Sequence, residues 1–315
     1  MTTPAPFPVP TAGAVLHGEL HRHRGVRRGA VLLRTPYDAV AHRSVAGSLA
    51  QRGWDCLVQD VRGRHGSTGS WTPYAHEAAD GAATVAAATA AGLAGPWVLF
   101  GASYAAHTAL ETARVLDSDD VAAVVALVPA LGLHETAHDD RGRPQHRDRL
   151  GWWSIHGLAR TDHPPLPAQV LRTATHVAAT DGPLAAVRWL GWDEDELQRW
   201  RRLWSARPLD LRHRYGALGV PLLVVTGDDD PFDGHARRLA AAWGRCRGPR
   251  ATLLSGPWGH DLTPRVEVSG AGTGGPGSRI LDWMAGLGPG PGVERRLDPD
   301  RREWADHRID TGGAA

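Results

Sequence analysis

Short apolar runs, spaced so that each is followed by a helix-patterned stretch, constrain this chain most. Residues 121–128 are apolar at every position, the pattern of a strand covered on both faces rather than one. Residues 30–33, 97–100, 221–225 and 251–254 are shorter runs of the same kind, and residues 54–59 form a strand that enters a Gly-rich loop. Residues 13–24 and 29–35 read as two strands near the start. Helical patterns occupy 40–52, 76–92, about 104–115 and about 233–245, and Gly95-Pro96 breaks the second of them. Strand and helix in alternation predict an α/β fold with a mostly parallel sheet.

Two stretches depart from the alternation. Residues 132–216 hold Trp152, Trp153, Trp189, Trp192, Trp200 and Trp204 with little β-branched clustering, and read as a helical cap inserted between sheet strands. Residues 286–315 are Gly, Pro and charge, which predicts a flexible tail in which only Trp304 has something to dock. The core is therefore expected over 1–131 and 217–285.

Composition excludes several functions. Basic and acidic residues nearly balance at 35 and 34, which speaks against binding nucleic acid or an acidic membrane by bulk charge. Every one of those bases is Arg, so no Schiff-base, pyridoxal-phosphate or P-loop lysine is available. Two cysteines, Cys56 and Cys246, form neither a disulfide framework nor a Cys-rich zinc site; Cys56, in an apolar run, is expected buried and inert. The opening residues have no basic region followed by an apolar one, and no stretch is long enough to span a bilayer, so a cytoplasmic location is expected.

The chemistry-bearing residues fall just after strands. Gly101-Ala102-Ser103-Tyr104-Ala105-Ala106 follows a short apolar strand and opens a helix, the context of a nucleophile elbow, with Ala106 where the usual pattern has Gly. Helix-start N–H groups there can stabilise an oxyanion. Asp228-Asp229-Asp230 follows one later strand and Gly256-Pro257-Trp258-Gly259-His260 the next. Serine, acid and histidine thus come in the chain order of this fold, each at a strand's carboxyl end, where open parallel sheets place their sites.

With these motifs the sequence resembles the α/β-hydrolases of the cocaine esterase, α-amino acid ester hydrolase and X-prolyl dipeptidyl peptidase group. Arg34-Thr35-Pro36-Tyr37-Asp38, the loop 59–67 with Pro73-Tyr74, Gly101-Ala102-Ser103-Tyr104 and the Gly-Pro-Trp-x-His loop carry the resemblance over about 29–262. It implies Ser103 as nucleophile, His260 as general base and then acid, and Asp230 as the triad acid, with Asp228 and Asp229 as competing neighbours. It also implies the Tyr37 hydroxyl and the Tyr104 backbone N–H as oxyanion donors, and no cofactor or metal. Many relatives carry a C-terminal β-sandwich, which this chain is expected to lack, leaving the cap to shape the pocket. The expected activity is a serine hydrolase cleaving an ester or peptide-like amide through an acyl-enzyme. The substrate is a small molecule or peptide, and a homo-oligomer is admitted. An acyltransferase or cyclase using the same triad is the alternative.

His134-Glu135-Thr136-Ala137-His138 spells the zinc-protease motif H-E-x-x-H. Its context argues against that use, because Gly132 precedes it and 139–144 ends any helix quickly. His134 and His138 are therefore expected to line the pocket, with Trp152, Trp153 and Trp258. A zinc metallopeptidase ranks below the hydrolase, as does a noncatalytic scaffold. His21 and His23 are expected solvated at a strand edge, and His107 packed behind the elbow.

Overall fold

The computed structural model describes residues 3–93, 95–248, 250–263, 275–286 and 288–309. Twelve strands are found among them: β1 (Ala5–Pro6), β2 (Val9–Thr11), β3 (Ala14–Leu16), β4 (Gly18–His21), β5 (Gly29–Thr35), β6 (Trp54–Asp60), β7 (Trp97–Ala102), β8 (Val121–Leu127), β9 (Leu222–Val225), β10 (Ala251–Ser255), β11 (Val293–Asp298) and β12 (Glu303–Arg308). All but the β2–β3 hairpin join one sheet, in the order β1-β4-β6-β5-β7-β8-β9-β10-β11-β12. From β6 to β11 every neighbouring pair is parallel, and the outer pairs are antiparallel. This is the α/β-hydrolase architecture, a mostly parallel sheet between helices.

The sheet's middle strands lack polar alternation because both faces are covered. Along β5, Ala30 and Leu32 face one apolar cluster while Val31 and Leu33 face the other. Val124 and Ala126 against Val125 and Leu127 repeat this on β8, as do Leu222 and Val224 against Leu223 and Val225 on β9. Helices α1 (Arg43–Gln51), α2 (Glu77–Ala90) and α3 (Tyr104–Val115) supply the cover between the early strands. Cys56 is fully buried, and burial pushes its thiol up to about 12, so it is inert as expected.

Between β8 and β9 lies the helical stretch: α4 (Leu133–Ala137), α5 (His146–Trp152) running on into a π turn at Trp153–Gly157, α6 (Ala168–Thr180), α7 (Pro183–Trp189), α8 (Glu194–Ser205) and α9 (Leu211–Tyr215). It has its own apolar cluster around Leu150, Trp153, Ala174, Val187, Trp200 and Leu203. Asp193 and Glu196 form a capping box that starts α8. Helices α10 (Asp233–Ala242) and α11 (Pro276–Met284) complete the core. No helix among the described residues is long and apolar enough to cross a membrane.

The structure corrects the expected flexible tail. β11 adds to β10 and β12 pairs back on β11. Few apolar residues are needed, because sheet hydrogen bonds and ion pairs hold the edge: Arg295 grips Asp306 at 2.7 and 2.8 Å, and Arg237 reaches Glu294 at 2.8 Å. Leu297 is buried, and Trp304 does dock, 6.0 Å ring to ring from Trp258. Residues 310–315 of that stretch, and 264–274 of the expected core, lie outside the described residues. His21 is likewise not solvated. β1 and β6 flank β4, and His21 is buried.

Candidate active site

Ser103 sits where β7 turns into α3, with φ 56° and ψ −120°. A non-glycine residue rarely adopts such a backbone, and a nucleophile elbow requires it because the turn aims the side chain out of the sheet. Surrounding hydrogen bonds hold the strain: Ser103 N–H donates to the Leu127 carbonyl at 2.9 Å, and the Ser103 carbonyl accepts from Ala106 at 3.1 Å and Ala130 at 3.2 Å. Gly101 must be glycine, since a Cβ there would lie 2.1 Å from the Ala105 carbonyl oxygen. Ala106 is fully buried in the apolar cluster beneath the elbow, so its methyl is accommodated.

The loops after β9 and β10 are laced together. Asp228 N–H donates to the Gly256 carbonyl at 3.0 Å and Asp229 N–H to the Trp258 carbonyl at 3.2 Å. Gly227 permits this approach, because a Cβ there would meet the Trp258 carbonyl oxygen at 2.1 Å. The lacing places the Asp230 carboxylate, wholly buried, with Oδ1 2.9 Å from His260 Nδ1. His260 Nε2 is 2.9 Å from Ser103 Oγ. Asp228 points elsewhere and accepts both arms of Arg296 at 2.8 and 2.7 Å. Asp230 is thus hydrogen-bonded to the imidazole, whereas Asp228 is not turned toward it.

With Nδ1–H donated to Asp230, Nε2 is left as an acceptor for the Ser103 hydroxyl proton. The Tyr37 hydroxyl donates to Ser103 Oγ at 3.2 Å and accepts from Trp152 Nε1–H at 3.1 Å. The Tyr104 backbone N–H lies at the first residue of α3, where helix N–H groups have no intrahelical acceptor. Its side chain is turned inward. The Tyr104 hydroxyl donates to buried Glu77 at 2.8 Å and accepts from Tyr74 N–H at 2.6 Å, and Arg34 lies 3.4 Å from Glu77. Burial, reinforced by Glu77, drives the Tyr104 phenol well above its ordinary value, so it stays neutral.

A cleft of about 780 Å³ opens above Ser103 and His260. Trp152 lines it, stacked 6.0 Å over Tyr104 at an interplanar angle of 7°. Four other expected pocket residues do not line it. Trp153 belongs to the cap's own apolar cluster and Trp258 to the cluster under the sheet. His134 and His138 stack on each other, 4.4 Å apart, and their Nδ1 atoms bond the carbonyls of Ala206 and His134. Glu135 Oε1 accepts from the Leu209 N–H at 2.7 Å. The helix carrying this motif is only Leu133–Ala137, and His138 is already extended. No group of three or more metal-ligating side chains is found among the described residues.

Sequence reasoning missed several lining residues: Tyr74, Arg149, His156 and Phe232. Phe232, two residues past Asp230, stands edge-on to His260 at 5.3 Å. Arg149 and His156 carried no signal, one being among 35 arginines and the other among 17 histidines.

Comparison with known proteins gives the family and the fold. The family model described as X-Pro dipeptidyl-peptidase (S15 family) matches residues 22–261. No curated protein matches the sequence. Among solved structures, an aminopeptidase from a marine sediment Thaumarchaeota archaeon is similar, with TM-score 0.67 and 18% identity over 97% of this chain and 58% of that one. An α-amino acid ester hydrolase gives TM-score 0.66 and 16% identity over 96% of this chain and 57% of that one. The chain thus spans less than two thirds of the length of either. The Rhodococcus esterase RhEst1 is similar over nearly its whole length, with TM-score 0.56, 16% identity, and coverage of 91% of this chain and 98% of that one. At these identities the likeness shows the α/β-hydrolase fold. The family match over residues 22–261, well beyond half the chain, shows that this protein belongs to the X-Pro dipeptidyl-peptidase (S15) family.

Proposed function

We propose that the protein is a serine hydrolase that cleaves an ester or peptide-like amide through an acyl-enzyme. The observation that carries this reading is the unbroken relay Ser103 Oγ to His260 Nε2 and His260 Nδ1 to Asp230, both at 2.9 Å, at a strained elbow. His260 takes the hydroxyl proton as Ser103 attacks the acyl carbon, and the buried Asp230 carboxylate stabilises the imidazolium. The oxyanion meets the Tyr37 hydroxyl, oriented by Trp152, and the Tyr104 N–H. The imidazolium then protonates the leaving group, and the acyl group remains on Ser103. The His260 side chain is 38% exposed, and a water entering after the leaving group departs would give its proton to His260 as it attacks the acyl carbon.

Intact-mass analysis after treatment with a fluorophosphonate tests the proposal. A single adduct is expected on the wild type and none on Ser103→Ala. An adduct that persists in the variant, or folded wild type that takes none, overturns it.

A further inference from the structure

The cleft contains a buried cation that the reaction does not use. Arg149 is only 6% exposed and lines the same cleft as Ser103. Its Nε makes no hydrogen bond, and no carboxylate lies within ion-pair distance of it among the described residues. Its guanidinium lies 5.4 Å over the Phe232 ring, and Phe232 in turn stands 5.3 Å from His260. Arg149 therefore sits one aromatic ring beyond the imidazole.

The carboxylates that share the cleft are held elsewhere or exposed: Asp229 is exposed, and Asp148, next to Arg149 in sequence, acts on it only from the exposed side. Asp228 is held by Arg296 and Asp230 by His260. Arg147 and Asp148 are exposed. An unpaired charge in an apolar site is costly, and proteins normally neutralise it with a partner. The Phe232 face offers only weak compensation. Guanidinium donors in a fork match a carboxylate's two oxygens.

We propose that Arg149 is the cleft's anion-binding residue and that the physiological substrate carries a carboxylate a few bonds from its scissile carbonyl. This rests on the hydrolase reading above and adds the substrate class to it. Arg149 is a specificity residue, so its loss changes discrimination between substrates more than turnover of a neutral one.

The test compares p-nitrophenyl esters of hexanoate, of adipate with its second carboxyl free, and of aminocaproate. A leaving-group arm compares hexanoyl esters of p-hydroxybenzoate and of its methyl ester. In the wild type the carboxylate-bearing member of at least one arm is expected to have the higher kcat/KM, by about 10- to 100-fold. Arg149→Met should erase that ratio, and Arg149→Lys should retain part of it. Preference for the ammonium ester, no preference for a carboxylate in either arm, or a ratio unchanged in Arg149→Met overturns the inference. Fluorophosphonate labelling on the same samples separates the two readings, because labelled protein without carboxylate preference refutes this inference alone. If the wild type takes no label, calorimetric titration with adipate monomethyl ester still decides: binding lost in Arg149→Met supports the site, and absent or unchanged binding refutes it. Should Arg149→Met fail to fold, the wild-type ratios and Arg149→Lys carry the test.

Discussion

Two of the three adjacent aspartates, Asp228 and Asp230, differ in what they face. Asp230 is buried against His260, whereas Asp228 is exposed and paired with Arg296. Asp230→Asn is expected to lower kcat by about 10⁴, as removal of a buried triad carboxylate does through loss of the imidazole's orientation and tautomer. Asp228→Asn should leave kcat nearly unchanged, since it breaks only an exposed pair worth about 1 kcal/mol or less. Steady-state rates on any ester that the wild type turns over separate the two, and the reverse ranking would reassign the acid. Tyr37→Phe removes a hydroxyl that meets Ser103 Oγ and is fixed by Trp152. A fall in kcat of about 10²- to 10³-fold is expected, with KM little changed, if that hydroxyl serves the oxyanion. Unchanged kcat would assign the hydroxyl a structural part only.

At the scale of elements, the first turn of α3 is pinned from behind. The Tyr104 hydroxyl bridges Glu77 on α2 and the Tyr74 backbone N–H. Tyr104→Phe strands two buried polar groups and is expected to cost about 1–3 kcal/mol of stability, read by denaturant unfolding. A loss below about 0.5 kcal/mol would mean that the bridge contributes nothing. The cap is fastened to the core by the same kind of contact. Arg64, fully buried, bonds the Pro36 carbonyl beside Tyr37 and also reaches Ala159 and Asp162 in the cap, while Trp71 Nε1–H donates to the His156 carbonyl at 2.8 Å. Arg64 thus ties the cap to the loop that carries Tyr37.

Across the whole molecule, buried titratable groups set the acid limit of stability. Burial lowers His107 to about 4, with its Nδ1 bonded to the Leu131 carbonyl at 2.7 Å. Because the folded state binds this proton less readily than the unfolded state, His107 contributes stability that is full above its ordinary value near 6.5. That contribution is lost as pH falls toward 4. Glu111 follows below it. Burial opposes its charge, but Arg214, His107 and Tyr215 outweigh that and hold it at about 2, so its contribution is lost between about 4.5 and 2. The thermal midpoint should fall steadily from pH 6.5 to 4, with a free-energy loss on the order of 3 kcal/mol from His107. The slope should flatten in His107→Gln, and an equal slope in variant and wild type would exclude His107 as its source.

Local pattern sufficed wherever the physics was local. The all-apolar run at 121–128 had to be a strand covered on both faces, Gly101 had to precede a tight elbow, and the order of serine, acid and histidine followed the strand ends. Ser103, Tyr37 and His260, from the motifs that carry the resemblance, meet in space with Asp230, the acid that it only implies. Local pattern did not suffice where partners come from far along the chain. The polar strands β11 and β12 looked like a loose tail because their stability lies in an existing sheet edge and in ion pairs, not in their own apolar content. Trp153 and Trp258 could not be told from Trp152, since which tryptophan reaches the cleft depends on how the cap sits. Arg149 was one arginine among many. Only the packing of the cap sets its guanidinium over Phe232 and leaves its Nε buried without a hydrogen bond.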